Sequence, residues 1–404
     1  MLTMWEADML KNQLITPEGT KDYLFEEAAA RREVEARLRA LFESRGFCEV
    51  VTPGIEFLDV FSVRGHGIPV ETMVKLSDHK GRLMALRPDS TLPIARLCAT
   101  RLRGEGLPLR LYYNQPVYSE TRTLSGRSDE IMQAGVELIG EPSLRADLEM
   151  VTMAVQALEC CPDFRLELGH IGIFNALADS LGLGEEDREQ LRLLIEAKNY
   201  PALGDLLDRW GGEAAVLKQL PRLFGGEEVF DRAAKLLGDG AASDVLGYLR
   251  SIYQNVQKLG LGDRVSVDLG IVNRTDYYTG IVFKGYMEGH GVEVLSGGRY
   301  DTLLDEFGGS AGAIGFAVNL DALSRAVLAQ EKAPFIRPAQ ILVHATDGFE
   351  MEGIARLTEL SAGGVSAEFS GFSTVEEAVG YARRKGIPRV VFVTAEGESE
   401  VEVE

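Results

Sequence analysis

The first part of the chain begins with apolar residues at helical spacing and continues with short runs typical of strands. Residues 22–46 repeat apolar positions with a period of about 3.6 and end in glycine, which predicts a helix. Glycine, proline and polar connections separate the runs that follow, so they favour an antiparallel sheet over repeated βαβ units. The predicted strands are FCEVVTP, RLMALRP, LRLYYNQPVY and IMQAGVELIG, followed by a helix in DLEMVTMAVQALEC and a strand in FRLELGH.

Between residues 185 and 262 the pattern changes to helices alone, as in EDREQLRLLIEAKN, AAVLKQLPRLF and ASDVLGYLRSIYQNVQKLG. We therefore predict a helical insertion within these bounds. Strand patterns resume in DRVSVDLGIVNRTDYYTGIVFKGY and VEVLSGGRYD, and GAIGFAVNLDALSRAVLAQ predicts a strand that leads into a helix. The core would thus be built from two separate parts, residues 1–184 and residues 263–330.

The proline-containing segment KAPFIRP predicts a domain boundary. After it, three strand patterns alternate with two helical patterns, which predicts a small α/β domain with a parallel sheet over residues 338–404. The final segment EGESEVEVE is strongly acidic, and we expect it to be a solvated tail.

Composition adds limits to this picture. The length of 404 residues predicts two or three domains at about 150 residues each. No apolar run approaches the ~20 residues that span a bilayer, and the start MLTMWEADMLKNQL lacks the plan of a signal peptide, so we expect a cytoplasmic protein without membrane contact. The four cysteines, Cys48, Cys98, Cys160 and Cys161, lack metal-ligand spacing and are interpreted as free thiols.

The charge balance disfavours a nucleic-acid partner. The chain has 42 Lys and Arg residues against 62 Asp and Glu residues, for a formal net charge of −20. A charge of this sign repels a polyanion unless a local basic patch overcomes it.

Six motifs in a fixed order carry a resemblance to a known family. They are GFCEVVTP, LRPDST, MQAGVELIG, DYYTGIVF, SGGRYD and GFAVNLDAL. In this order they resemble the class II aminoacyl-tRNA synthetases, and specifically histidyl-tRNA synthetase. The resemblance implies an α+β fold, with an antiparallel sheet flanked by helices, interrupted by the helical insertion and followed by a shortened form of the anticodon-binding domain.

The same resemblance implies a histidine-binding pocket. A histidine ligand offers an ammonium group, which needs carboxylate and carbonyl acceptors, and an imidazole, which a glutamate and a tyrosine hydroxyl can orient. Gln133 and Glu137 are four residues apart in a strand pattern, so both side chains can point to one face. Each residue taken alone also fits an ordinary role, such as a core tyrosine or a surface glutamate. The implied histidine-binding residues are Asp89, Thr91, Gln133, Glu137, Tyr277 and Tyr278.

The arginines that a synthetase uses against the phosphates of ATP are missing. Their expected positions hold Ser119, Asn273 and Ala322, while Arg274 is displaced by one residue and would point away from the pocket if the backbone there is extended. Arg127 does match the family pattern. Since adenylate formation needs cations placed in advance, we expect no such chemistry here.

A chain with the amino-acid pocket but without the nucleotide clamp resembles the family of ATP phosphoribosyltransferase regulatory subunits. This resemblance implies a non-catalytic chain, without cofactor or metal, in a hetero-oligomer of usually four plus four chains with the short-form catalytic subunit. It also implies feedback inhibition by L-histidine, bound either in this pocket or at the subunit junction. The alternatives are an active histidyl-tRNA synthetase and a free-standing histidine-sensing module, since one fold serves many functions.

Overall fold

A computed structural model of the chain describes residues 13–63, 68–120, 128–272, 277–289, 291–330 and 334–403. These residues fall in two compact units, one within Met1–Glu331 and one within Lys332–Glu404. No helix in the described segments is both long enough and apolar enough to cross a membrane.

The strands largely follow the β patterns of the sequence. The predicted first strand is reduced to two residues, whereas the two central strands extend over ten residues each. The strands are β1 Cys48–Glu49, β2 Ile55–Phe57, β3 Lys75–Ser77, β4 Leu83–Leu86, β5 Leu109–Tyr118, β6 Glu130–Ile139, β7 Phe164–His170, β8 Phe224–Gly225, β9 Val265–Asp268, β10 Ile281–Met287, β11 Glu293–Tyr300, β12 Ala313–Asn319, β13 Ile341–Ala345, β14 Ala367–Phe369, β15 Arg389–Thr394 and β16 Gly397–Glu402.

Long helices such as Phe25–Ser44 and Ala241–Lys258 occur where apolar residues recur with helical period, and each of these two buries one face. The α-helices are α1 Phe25–Ser44, α2 Thr91–Thr100, α3 Leu144–Leu158, α4 Ile171–Ser180, α5 Glu185–Glu196, α6 Tyr200–Leu207, α7 Ala215–Gln219, α8 Glu228–Leu237, α9 Ala241–Lys258, α10 Leu320–Gln330, α11 Glu350–Ala362 and α12 Val375–Lys385.

A nine-stranded sheet in the order β1-β5-β6-β12-β11-β10-β7-β9-β8 forms the centre of the first unit. Its six middle strands, from β5 to β7, pair antiparallel, as the sequence predicts. Parallel pairing occurs between β1 and β5 and between β7 and β9. The predicted fold, an antiparallel sheet flanked by helices, is therefore confirmed.

One face of this sheet is covered by α1, α3 and α10. Phe42 of α1 packs on Tyr112 of β5 and Phe316 of β12, with ring centroids 5.9 and 6.0 Å apart. We call this side the helical face. Burial of these large aromatic side chains stabilises the packing of helices on sheet.

The opposite face, which we call the pocket face, is defined by the strand register. Glu137 of β6 pairs with Leu111 of β5 and with Gly315 of β12, and Gly315 pairs with Gly298 of β11. Paired residues on neighbouring strands project to the same side of a sheet. A small antiparallel sheet, β2-β4-β3, and α2 share one buried apolar cluster with this face.

The inserted region consists mainly of α5 to α9, as predicted, but the prediction of helices alone was wrong at Phe224. Phe224–Gly225 forms β8, which pairs antiparallel with β9 at the edge of the main sheet. Two residues are too few to produce an apolar period, so only the backbone pairing reveals this strand. The longest helix of the insertion, α9, contacts α3, α4 and β7 of the core.

The second unit is an α/β sheet in the order β14-β13-β15-β16. Its first three strands pair parallel, as the alternating pattern predicts. The expectation of a solvated tail was wrong, because Gly397–Glu402 forms β16 and pairs antiparallel with β15. All six residues of β16 are exposed, so its charged side chains stay in water while its backbone completes a ladder.

Candidate functional site

Glu137 lies at the centre of the candidate site, near the end of β6, on the pocket face. Only 2% of its surface is exposed. Its Oε1 accepts a hydrogen bond of 2.8 Å from the Thr91 hydroxyl, and its Oε2 accepts one from the Tyr300 hydroxyl. Burial raises the pKa of Glu137 to about 8, although these two hydrogen bonds oppose the rise. The group can therefore exchange a proton near neutral pH.

A second carboxyl group, that of Asp89, lies beside the start of α2. It accepts a hydrogen bond of 2.8 Å from the Leu92 amide, and the Thr91 amide and the Tyr277 hydroxyl also donate to it. Part of the residue is exposed, but its carboxyl group is enclosed, and this burial raises the pKa of Asp89 to about 6. The sequence LRPDST thus ends a strand and places an acid at a helix N-terminus.

Four tyrosines form the walls of the site. The ring centroid of Tyr277 is 4.9 Å from that of Tyr278 and 5.6 Å from that of Tyr300. Tyr113 of β5 is also buried, and burial raises the pKa of its hydroxyl and that of Tyr277 well above their ordinary value. These hydroxyls therefore remain protonated and act as neutral hydrogen-bond donors.

Glycines keep the floor of the site open. A Cβ on Gly298 would lie 2.7 Å from the Tyr278 ring, and one on Gly135 would lie 2.5 Å from the Tyr113 hydroxyl. A Cβ on Gly315 would overlap the Glu137 carboxylate. Real Cβ atoms do not approach this closely, so only glycine allows the aromatic and acidic side chains to reach down to the sheet.

Gln133 shares the pocket face with Glu137, as its spacing predicts. It pairs with Gln115 of β5 and Asn319 of β12, and its side chain is half-buried. The Gln115 amide is already held by Thr52, whose backbone N–H donates to Gln115 Oε1 over 3.2 Å. On the pocket face of β6, Gly135, which pairs with Tyr113, lies between Gln133 and Glu137.

The structure brings together most of the residues predicted from the sequence. Hydrogen bonds link Thr91 with Glu137 and Tyr277 with Asp89, and Tyr278 joins them through ring contact. The tyrosine pair itself does not lie in a strand, since β10 begins only at Ile281.

The sequence interpretation missed two residues of the site, Tyr300 and Tyr113. Tyr300 stands in the motif SGGRYD, and its separation from Gly298 places both on the pocket face. The spacing shows only that the two residues share a face and does not show which strand that face meets. Tyr113 lies within LRLYYNQPVY, where two adjacent tyrosines point to opposite faces and nothing local marks which one enters the pocket.

Of the positions where a synthetase would hold arginine, two are described. Ser119 directly follows β5, and its amide donates 2.8 Å to the Asp129 carbonyl. Ala322 is fully buried in the first turn of α10. Asn273, Arg274 and Arg127 lie outside the described residues.

Arg87, from the motif LRPDST, is used for structure. Its Nε donates a hydrogen bond of 2.7 Å to the Pro116 carbonyl, and its Nη1 donates one of 2.7 Å to the Thr52 carbonyl. This guanidinium therefore ties β5 to the segment after β1. It is not available to a ligand phosphate.

The electrostatic balance of the site follows from these contacts. Within the described residues, Asp89 and Glu137 receive hydrogen bonds from amides and hydroxyls, all of which are neutral donors. Two enclosed acids without a cation are costly when ionised, which is why both pKa values rise. A ligand that carries positive charge would remove this cost. Among the residues that the structure describes, no group of three or more His, Cys, Asp or Glu residues could hold a metal ion.

Comparisons with known proteins show the family to which the chain belongs. The family model of histidyl-tRNA synthetase matches residues 19–323. A relative from Clostridium kluyveri, named ATP phosphoribosyltransferase regulatory subunit, is 40% identical over 378 residues, or 92% of this chain and 97% of its own. A protein of the same name from Bacillus mycoides is 37% identical over 405 residues, which cover 98% of this chain and 94% of its own.

Solved structures give the same picture. A Bacillus halodurans structure described as an ATP phosphoribosyltransferase regulatory subunit/histidyl-tRNA synthetase has a TM-score of 0.83 and 29% identity, covering 94% of this chain and 98% of that chain. A histidyl-tRNA synthetase from Nostoc shares the fold with a TM-score of 0.77 at 21% identity, covering 96% of each chain.

The fold and the acidic, tyrosine-walled pocket define a protein of the histidyl-tRNA synthetase-like class. Within that class, the chain belongs to the family of ATP phosphoribosyltransferase regulatory subunits. The chain is accordingly a non-catalytic subunit of an enzyme complex, as its sequence predicts.

Proposed function

We propose that this chain binds L-histidine in the pocket of Asp89, Thr91, Gln133, Glu137, Tyr277 and Tyr278, and so regulates ATP phosphoribosyltransferase in the first step of histidine biosynthesis. The observation that carries the proposal is the pair of enclosed acids, Asp89 and Glu137, with neutral donors alone around them in the described residues. Histidine brings an ammonium group and an imidazole, the two groups that such a pair accepts.

The contacts suggest how the ligand would lie. Asp89 and the Gln133 carbonyl oxygen would accept hydrogen bonds from the ammonium group. Glu137 and a tyrosine hydroxyl would take the imidazole. With a pKa raised to about 8, Glu137 can accept from an imidazole N–H as a carboxylate or donate to a bare imidazole nitrogen as an acid.

The partner would be the short-form catalytic subunit, in a cytoplasmic hetero-oligomer of four plus four chains. Histidine would inhibit by binding one state of this complex more tightly than another, because a ligand shifts an equilibrium only through differential affinity. The regulatory chain would also be required for activity of its partner. The competing location for histidine is the subunit junction.

Substitution of Glu137 tests the location. Glu137→Ala removes a hydrogen bond to a charged group, a loss of roughly 1.5–3 kcal/mol, so histidine affinity should fall about 10- to 150-fold. The matched control is Glu130→Ala. Glu130 is the first residue of the same strand and is half-buried, so this variant should bind histidine normally. Calorimetry on each purified chain measures both.

The complex reconstituted with a short-form catalytic subunit tests the regulation. The Glu137→Ala complex should assemble and form phosphoribosyl-ATP but need far more histidine for inhibition. Unchanged binding and unchanged inhibition would instead locate the regulatory histidine outside this pocket. Native mass spectrometry of the same sample checks the four-plus-four stoichiometry.

A further inference from the structure

Arg299 and Tyr300 are neighbours on β11, but their side chains point to opposite faces of the sheet. Tyr300 donates to Glu137 on the pocket face. Arg299, only 7% exposed, lies on the helical face and donates from Nε to Asp147 Oδ1 over 2.7 Å. A strand residue cannot move without its neighbour, so the position of Arg299 bears directly on the pocket.

The helical insertion supplies a third member of this buried ion pair. Tyr248 of α9 donates a hydrogen bond of 2.5 Å to Asp147 Oδ2, while Arg299 holds Oδ1. Asp147, on α3, is completely buried. The Tyr248 ring also packs edge-on against His170, with ring centroids 5.9 Å apart. The Asp147 carboxylate thus contacts the insertion through Oδ2 and the central sheet through Oδ1.

Arg299 also contacts the segment that carries Tyr277 and Tyr278. The Thr279 amide donates a hydrogen bond of 2.8 Å to the Arg299 carbonyl, and the Asp301 amide donates one of 3.0 Å to the Thr279 hydroxyl. Arg299 Nη1 also donates 3.1 Å to Asp301 Oδ1. A Cβ on Gly280 would lie 3.0 Å from the Arg299 side chain, so this segment lies directly against it.

We propose that Tyr248, Asp147 and Arg299 form a brace through which the helical insertion sets the affinity of the histidine pocket. The brace positions Tyr300 and the segment of Tyr277 and Tyr278. Arg299 acts as a positioning residue, since its side chain points away from the ligand. This inference deepens the proposed function and rests on it for the identity of the ligand.

A purely stabilising role would have a different signature. Buried ion pairs often add little net stability, because desolvation offsets the attraction between the charges. A brace that only stabilises the fold would change the unfolding free energy but leave the pocket of the folded protein unaltered. The test must therefore measure the pocket and the stability separately.

The variant Tyr248→Phe removes one hydroxyl and keeps the ring on His170. Histidine should bind about 2- to 30-fold more weakly, the range seen for substitutions along coupled networks. The matched control is Tyr253→Phe on the same helix, because the Tyr253 hydroxyl bonds to Gln257 within α9 itself. Calorimetry with L-histidine on both variants, with thermal unfolding alongside, separates affinity from stability.

Hydrogen exchange supplies a readout that needs no ligand. The Thr279 amide and the Ile171 amide, which donates 3.1 Å to the Gly280 carbonyl, should exchange faster in Tyr248→Phe than in Tyr253→Phe. If both variants match the wild type in exchange and in histidine affinity, the inference is wrong and the proposed function stands. If the wild type binds no histidine, the proposed function fails, and exchange alone decides whether the brace positions the pocket.

Discussion

The carboxylate of Glu137 occupies the place where a side chain of its cross-strand partner Gly315 would begin. The two residues pair directly between β6 and β12, and a Cβ on Gly315 would overlap Oε2 of Glu137. The backbone carbonyl of Val136 also lies at this point. The acid at the centre of the pocket therefore depends on the absence of a single methyl group on the next strand.

The substitution Gly315→Ala should consequently destroy the pocket. Because the methyl group would displace Glu137 and press on backbone, we expect a loss of about 1–3 kcal/mol in unfolding free energy and no measurable histidine binding. Gly247→Ala is the control, since Gly247 is exposed in α9 with open space around it and alanine there favours the helix by up to about 1 kcal/mol. Denaturant unfolding and calorimetry on both variants give the comparison. Normal histidine binding by Gly315→Ala would contradict the geometry.

The raised pKa of Glu137 predicts a pH-dependent stability of the histidine-free protein. The pKa is about 8 in the folded state against 4.5 ordinarily, so the folded state binds more protons between these values. The stabilising contribution of Glu137 to the unfolding free energy is fully present below about pH 4.5 and is lost as pH rises through about 8. Each pKa unit of the shift corresponds to ~1.4 kcal/mol. Asp89 acts in the same direction between 3.8 and about 6.

Glu137→Gln isolates this contribution, because other titrating groups cancel in the comparison with the wild type. Unfolding free energies measured from pH 5 to about 8.5 should fall more steeply for the wild type than for the variant. Parallel curves for the two proteins would mean that Glu137 titrates normally. Added histidine should flatten the wild-type curve, since a cationic partner favours the ionised carboxylate.

The chain should not form histidyl-adenylate. Ser119 and Ala322 are neutral at positions where a synthetase needs arginine, and phosphoryl chemistry depends on cations placed in advance. Histidine-dependent exchange of pyrophosphate into ATP should equal the no-enzyme control. Arginine at positions 119, 273 and 322 together should not restore it, because Ala322 is completely buried and a guanidinium there would lack a prepared environment. Exchange clearly above the control would overturn this expectation.

The sequence predicts the site well where the contacts depend on parity within one strand. Gln133 and Glu137 share a face because their separation is even, and this is what the structure contains. The contact between Tyr300 and Glu137 spans three strands, β6, β12 and β11, and depends on how these strands are ordered in the sheet. Sequence spacing does not encode that order, so Tyr300 was missed.

Segments whose structure depends on backbone pairing were also beyond the sequence patterns. Phe224–Gly225 is too short for a period, and Gly397–Glu402 has the composition of a solvated tail. Each is a strand because a neighbouring strand offers free N–H and C=O groups. Long amphipathic helices such as Phe25–Ser44 and Ala241–Lys258, by contrast, were predictable, because each buries an apolar face with its own period.

One of the two edge strands of the second unit, β16, carries a row of like charges. Glu398, Glu400 and Glu402 alternate along it, and the first two form ion pairs with Arg356 and Arg389. A free edge is a template on which another chain can add a strand, and charged side chains oppose such addition. A second copy that approached β16 would bring carboxylates against carboxylates. This edge of the sheet is thus protected against growing from molecule to molecule, and the protection weakens as salt screens the repulsion.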